Sequence, residues 1–189
     1  MRRALPVLAA AAAILMLMSA GCGGKGSSGE LSELAQLAEK RMVSFDKPVG
    51  FAGAELTFTG WESLLSVGGG EGEEPSFTPA KGRYFCVFFT LEGAEGALPA
   101  AVDPSLFKLR DISGKLYYMD EAICQGPASA LAAARGLTPP WALRWDQPGK
   151  SDSLVVFDAP FSVENLTLVV DVPPGGGDPS DRIELALGE

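Results

Sequence analysis

A chain of 189 residues with 24 acids against 15 lysines and arginines carries a formal charge of −9, which excludes nucleic acid as a direct partner because that role needs a basic surface. It contains no histidine, which removes the Ser-His-Asp and Cys-His nucleophile systems together with the common zinc sites. Apolar residues at 47% suffice for one core, and 23 glycines with 14 prolines indicate many turns.

The N-terminus is patterned like an export signal. Arg2 and Arg3 precede an apolar run from Val7 to Met18, and the small residues Ser19, Ala20 and Gly21 follow. The whole apolar stretch is short for a retained membrane span and contains Pro6, so residues 1–21 read as removed. Ser19-Ala20-Gly21-Cys22 resembles a bacterial lipobox, whose cysteine is acylated and becomes the mature N-terminus. Ser19 departs from the aliphatic residue usual at that position. The alternative is a plain secretory signal ahead of an unrelated cysteine. On the lipobox reading the chain meets the membrane through a lipid anchor at Cys22. Loss of Arg2 and Arg3 takes the charge from −9 to −11, which suits a domain held off an anionic surface.

Residues 22–42 read as a tether. The run GGKGSSG behind Cys22 has the composition of a flexible leash. ELSELAQLAEKRM (30–42) has helical periodicity through Leu31, Leu34, Ala35, Ala38 and Met42, although a helix of this length is marginal alone and a partly helical spacer fits equally.

From residue 43 the pattern turns to period two and holds to residue 189. AELTFTGW (54–61) alternates, and a glycine-rich acidic loop follows over 67–82. RYFCVFFTLEG (83–93) is the strongest strand, and its apolar residues on both faces predict a central position. SLFKLRDISGKLYYM (105–119) reads as a hairpin turning at Asp111-Ile112-Ser113-Gly114. An alanine-rich stretch over 120–140 breaks the pattern. WALRW (141–145), SLVVFDAP (153–160), NLTLVVDV (165–172) and RIELALG (182–188) are further strand candidates. Seven to nine short strands with turns between them, and no strand–helix–strand rhythm, predict an all-β antiparallel sandwich.

The order of these signals over 49–172 resembles a bacterial family of immunoglobulin-like lipoprotein domains of unknown function, related to a small secreted mycobacterial immunogenic β-sandwich protein. The likeness is carried by Lys81-Gly82-Arg83-Tyr84 leading into the long strand, and by Phe107 to Asp111 with Gly114, Lys115 and Tyr117. It continues through Pro148-Gly149-Lys150, Leu154 to Pro160, and Asn165 to Leu168. Gly93 stands where the family's long strand usually ends in Asn, and the 120–140 insert is longer than the family pattern. The resemblance implies an immunoglobulin-like fold and an extracytoplasmic setting, and it brings no catalytic residues and no cofactor.

If Cys22 is acylated, Cys86 and Cys124 remain, and in an oxidising compartment a disulfide between them is the expectation; two separate strand thiols are the alternative. Acids at Asp111, Asp146, Asp152, Asp158, Asp178 and Asp181 sit in turns, where Asp serves backbone geometry rather than acid–base work. EGEE (71–74) and Asp120-Glu121 supply oxygen groups for calcium but lack the spacing of a calcium loop, so no metal site is assigned. The tryptophans are the remaining candidates. Trp141, Leu143 and Trp145 would share one strand face, and alternation favours filling the core with both indoles. As candidate ligand or partner residues, Trp141, beside Pro139-Pro140, ranks ahead of Trp145. Two expectations follow. The first is a non-catalytic, anchored module that binds an envelope protein, and the second is a lipoprotein that binds a small molecule or glycan through the Trp141/Trp145 region.

Overall fold

The computed structural model describes residues 42–68, 76–175 and 182–188. The export segment, Cys22, the acidic loop over 71–74, Asp178 and Asp181 lie outside the described residues. So does the expected helix over 30–42 apart from Met42, which opens the first strand.

Nine strands are described: β1 (Met42–Val43), β2 (Val49–Phe51), β3 (Ala54–Leu64), β4 (Gly82–Gly93), β5 (Phe107–Arg110), β6 (Leu116–Tyr118), β7 (Gly149–Pro160), β8 (Leu166–Val170) and β9 (Ile183–Leu187). They form two sheets, in the orders β2-β3-β4-β7 and β1-β9-β8-β5-β6. Every pairing is antiparallel except β1 with β9. β4 beside β7 in one sheet, and β5-β8-β9 in the other, is the strand pairing of an immunoglobulin-like sandwich. β4 is central, as its two apolar faces predict, because β3 covers one edge and β7 the other.

Between the sheets lie Leu56, Phe58, Val87, Phe89 and Leu91 from one side, facing Phe107, Leu109, Leu168, Val170 and Leu185 from the other; all are buried. Phe89 stacks on Phe107 across the gap at 5.4 Å between centroids and leans on Phe58 at 6.3 Å. A bulge between Phe58 and Gly60 lets the eleven-residue β3 change register along β4.

The outer face of β4 and β7 is apolar too, and the stretch between β6 and β7 explains why. Asp120 caps α1 (Glu121–Ile123) by accepting the Ile123 N–H at 3.0 Å. The chain then runs through a π-helical segment, Cys124–Ala128, into α2 (Ser129–Arg135), which ends at Gly136 in the left-handed conformation (φ 66°). Ile123, Ala128, Leu131 and Ala132 are buried and belong to the same core as Cys86, Leu154 and Val156. Arg135 lies 5.0 Å over the Phe88 ring and pairs with Glu62 at 2.6 Å, pinning the end of α2 to β3 and β4. The insert also protects the free edge of β7. The Val156 N–H points to Met119 Sδ, and the Thr138 N–H donates to the Asp152 carbonyl at 2.9 Å. The alanine-rich break in the strand pattern is thus a helical cover for a second apolar face.

Asp158 is the buried acid. Its carboxylate accepts the N–H groups of Ala80 and Lys81 at 2.8 and 3.1 Å, tying the approach to β4 onto β7. The outer face of the other sheet carries ion pairs instead. Asp171 receives Lys108 and Arg182, and Arg110 meets Glu184 at 2.7 Å.

Three aspartates fold with depressed carboxyl pKa values. Burial raises Asp171, but the hydrogen bond from Lys108 and the charges of Arg182 and Lys108 together outweigh it. The Ser113 hydroxyl leads the lowering of Asp111, and Arg144 that of Asp146. Each then supplies stability that is present above the unfolded value near 3.8 and lost as pH falls through the lower folded value. The urea midpoint should therefore hold from neutral pH down to about 5 and drop below about pH 4. Asp171→Asn should shrink that drop, and a midpoint that rises on acidification would contradict it.

Candidate functional site

A cleft of about 540 Å³ opens where the insert meets the loop leading into β5. One wall is a 3₁₀ turn, Pro104–Leu106, capped by Asp103, whose carboxylate accepts the Ser105 N–H at 2.8 Å. Also lining the cleft are Met119 and, from α1, the π-helical segment and the start of α2, Glu121, Cys124, Gln125 and Ser129. Local hydrogen bonds set these side chains. Gln125 Nε2 donates to Glu121 Oε1 at 2.8 Å, and Ser129 Oγ to the Cys124 carbonyl at 2.7 Å.

Trp141 completes the cleft. WALRW is not a strand: Pro139 and Pro140 restrict the backbone, and Pro140–Ala142 forms a 3₁₀ turn. The turn leaves Trp141 36% exposed beside the cleft, whereas Leu143 and Trp145 turn inward. Trp141 and Trp145 therefore do not share a face. Trp145 is fully buried and meets the Phe51 ring at 5.7 Å, so it cannot touch a ligand, and its candidacy as a binding residue is withdrawn.

The expected disulfide is also corrected, because Cys86 and Cys124 are both free thiols. Cys86 is fully buried on β4, where its charged neighbours are Glu62 and Arg135; Cys124 lines the cleft among Asp120, Asp103 and Glu121. Burial pushes the Cys86 thiol up to about 12. Burial, followed by the three carboxylates, also raises Cys124. Neither is poised as a thiolate nucleophile at neutral pH. Of Cys86 and Cys124, a thiol-directed alkylating reagent should label Cys124 alone in the native protein, and slowly, and Cys86 should react only after unfolding. Peptide mass mapping reads both, and labelling of native Cys86 would refute the burial argument.

Asp120 and Glu121 are engaged with the insert's own backbone and Gln125. Among the described residues no group of three or more Cys, Asp or Glu side chains is arranged to hold a metal ion. Sequence reading singled out Trp141, Cys124 and Glu121 but missed Asp103, Met119, Gln125 and Ser129. Only the Asp-Pro-Ser capping pattern at Asp103 offered a local signal.

No family model matches the chain, and no curated protein matches its sequence. In structure it is similar to a secreted protein of Mycobacterium tuberculosis, MPT63, at 14% identity over 78% of this chain and 96% of that one, with a TM-score of 0.47. It is similar to an uncharacterized β-sandwich protein of Clostridium difficile 630 at 12% identity over 78% and 93%, with a TM-score of 0.48. It is also similar to the yjhA protein of Bacillus subtilis at 13% identity over 76% and 97%, with a TM-score of 0.45. At these identities the likeness is one of fold alone. Among the described residues no helix is long and apolar enough to cross a membrane.

Proposed function

We propose that the chain is an extracytoplasmic lipoprotein whose immunoglobulin-like domain is a non-catalytic module for binding a protein of the cell envelope. The observation that carries this reading is Trp141, a large aromatic left exposed at a concave cleft and held by a turn on a rigid sandwich. Aromatic side chains so placed are the residue type on which protein interfaces concentrate their binding energy. The export-like N-terminus supports the location, and the lipobox-like Ser19 to Cys22 supports the anchor. Non-catalytic action fits a site built from one aromatic, self-capping carboxylates and an unactivated thiol.

Two experiments in the native cells test it. Cys22→Ser should move the protein from the membrane fraction to the soluble fraction, and retention at the membrane would defeat the anchor. A photo-cross-linking residue at Gln125, on the cleft wall, should give one recurring protein adduct that is missing when the same residue replaces Ile112, which is exposed on the β5–β6 turn. Equal adducts from both positions, or none from either, would count against a protein partner at the cleft. A second reading, a small ligand or glycan, is favoured by the size of the cleft, which falls in the range of small-molecule sites. Quenching of Trp141 fluorescence by cell-wall fragments would support that reading.

A further inference from the structure

The cleft is amphipathic in a particular way. Trp141, Pro104 and Met119 give it apolar surface, while Asp103 and Glu121 bring two carboxylates to its lining. Among the described residues no lysine or arginine lines it. Five acids elsewhere in the domain are paired with cations. Asp171 has Lys108 and Arg182, Glu184 has Arg110, Glu62 has Arg135, Asp146 has Arg144 and Glu92 has Lys150. Among the described residues Asp103 and Glu121 have neutral donors, namely the Ser105 N–H and the Gln125 side-chain amide.

An exposed indole face attracts a cation through its ring quadrupole, and unneutralised carboxylates beside it add Coulomb attraction. An anion would meet repulsion from both carboxylates, and an uncharged apolar group would leave them without a cationic partner. Charge complementarity therefore selects the occupant.

We propose that the cleft receives a basic side chain, the ammonium of a lysine or the guanidinium of an arginine, presented by an extended segment of the partner protein. This inference rests on the protein-binding reading above and specifies its chemistry. The cation sits against the Trp141 ring between the Asp103 and Glu121 carboxylates, and its aliphatic stem lies along Met119 and Pro104. Three features of the site agree with this. The cleft is open to the surface beside the partly exposed Trp141; among the described residues no cation pairs with its acids; and its lining is held by hydrogen bonds within the domain, so little ordering is needed on binding.

The test uses the full chain labelled with ¹⁵N, in which the indole N–H resonances of Trp61, Trp141 and Trp145 act as three reporters. The probes are a blocked ten-residue peptide alternating lysine and glycine, its counterpart with glutamate for lysine, and spermidine as a free polyamine. The lysine peptide should shift the Trp141 resonance saturably while Trp145, enclosed in the core, stays in place. The glutamate peptide should do nothing. Glu121→Gln should weaken the lysine peptide by about two- to fivefold at the Trp141 indole, and Trp141→Leu, read at the backbone amide of Gln125 on the cleft, should abolish binding, both with the Trp145 resonance unmoved as proof of folding.

Equal binding of the glutamate peptide would overturn the cation inference and leave a peptide-binding cleft. Tighter binding of spermidine than of the lysine peptide would overturn the peptide source in favour of a free amine. No shift from any probe would overturn the inference, while the cross-link at Gln125 would still decide whether a protein occupies the cleft.

Discussion

Gly93→Ala is expected to cost roughly 3 kcal/mol or more in stability, among the largest effects of any single methyl group in this chain. Gly93 closes β4 and pairs with Gly149 at the start of β7. A Cβ on Gly93 would lie 2.0 Å from the Gln147 carbonyl oxygen, 2.9 Å from its carbon and 3.0 Å from the Trp145 carbonyl oxygen. All three are backbone atoms, so no rotamer change relieves the clash. The strand end or the 144–147 segment must move. That segment is already committed, since the Ala94 N–H donates to the Trp145 carbonyl at 3.2 Å and the Trp145 N–H to Ala100 at 3.2 Å. The urea midpoint should fall by more than about 1 M. Gly50→Ala is the control, because Gly50 lies on exposed β2 with nothing within 4 Å of an added Cβ, and its change should stay within about 0.5 kcal/mol. Equal effects at the two glycines would defeat the steric account. At Gly93 nothing larger than hydrogen fits without a shift of backbone.

The tryptophan pair gives the second large effect. Trp145→Ala should cost about 3–5 kcal/mol, the usual range for deleting a fully enclosed indole. It would open a void beside Phe51 and release the neighbouring Leu143, both part of the core. Trp141→Ala should cost clearly less, about 1–2 kcal/mol, because the side chain is 36% exposed. Chemical denaturation of both variants, followed by far-UV circular dichroism, reads the difference. If the two substitutions cost the same, the assignment of Trp141 as the exposed residue fails, and with it the basis for the cleft as a binding site. If they differ as expected, Trp141→Ala becomes the variant of choice for loss of binding without loss of fold.

Much of the architecture was legible before any coordinates. Alternation in β3, β5, β8 and β9 marked half-buried strands, and the doubly apolar β4 announced its central place. The Asp111 turn was equally plain, and its carboxylate accepts from Ser113 and Lys115 N–H as such turns require. These signals are local: each rests on side chains a few residues apart that share a face or a turn. β1 and β2 escaped notice because two or three residues carry no periodicity.

What the sequence alone determined about this protein is therefore its class. It is an acidic, histidine-free chain with an export-like start and an antiparallel sandwich of short strands. The tertiary structure decided everything that depends on which distant residues meet. WALRW satisfies a strand pattern, yet two prolines and the bridge from Arg144 to Ala101 turn it into a 3₁₀ turn, sending one tryptophan out and the other in. Cys86 and Cys124 behind an export-like start suggest a bridge, yet one thiol is sealed on β4 and the other opens on the cleft. The 120–140 stretch has too little amphipathic length to declare itself a helix, and it becomes one because the outer face of β4 and β7 needs an apolar cover. Local patterns encode backbone period and turn chemistry, whereas a site is a matter of side chains far apart in the chain, and only burial of the core brings those together.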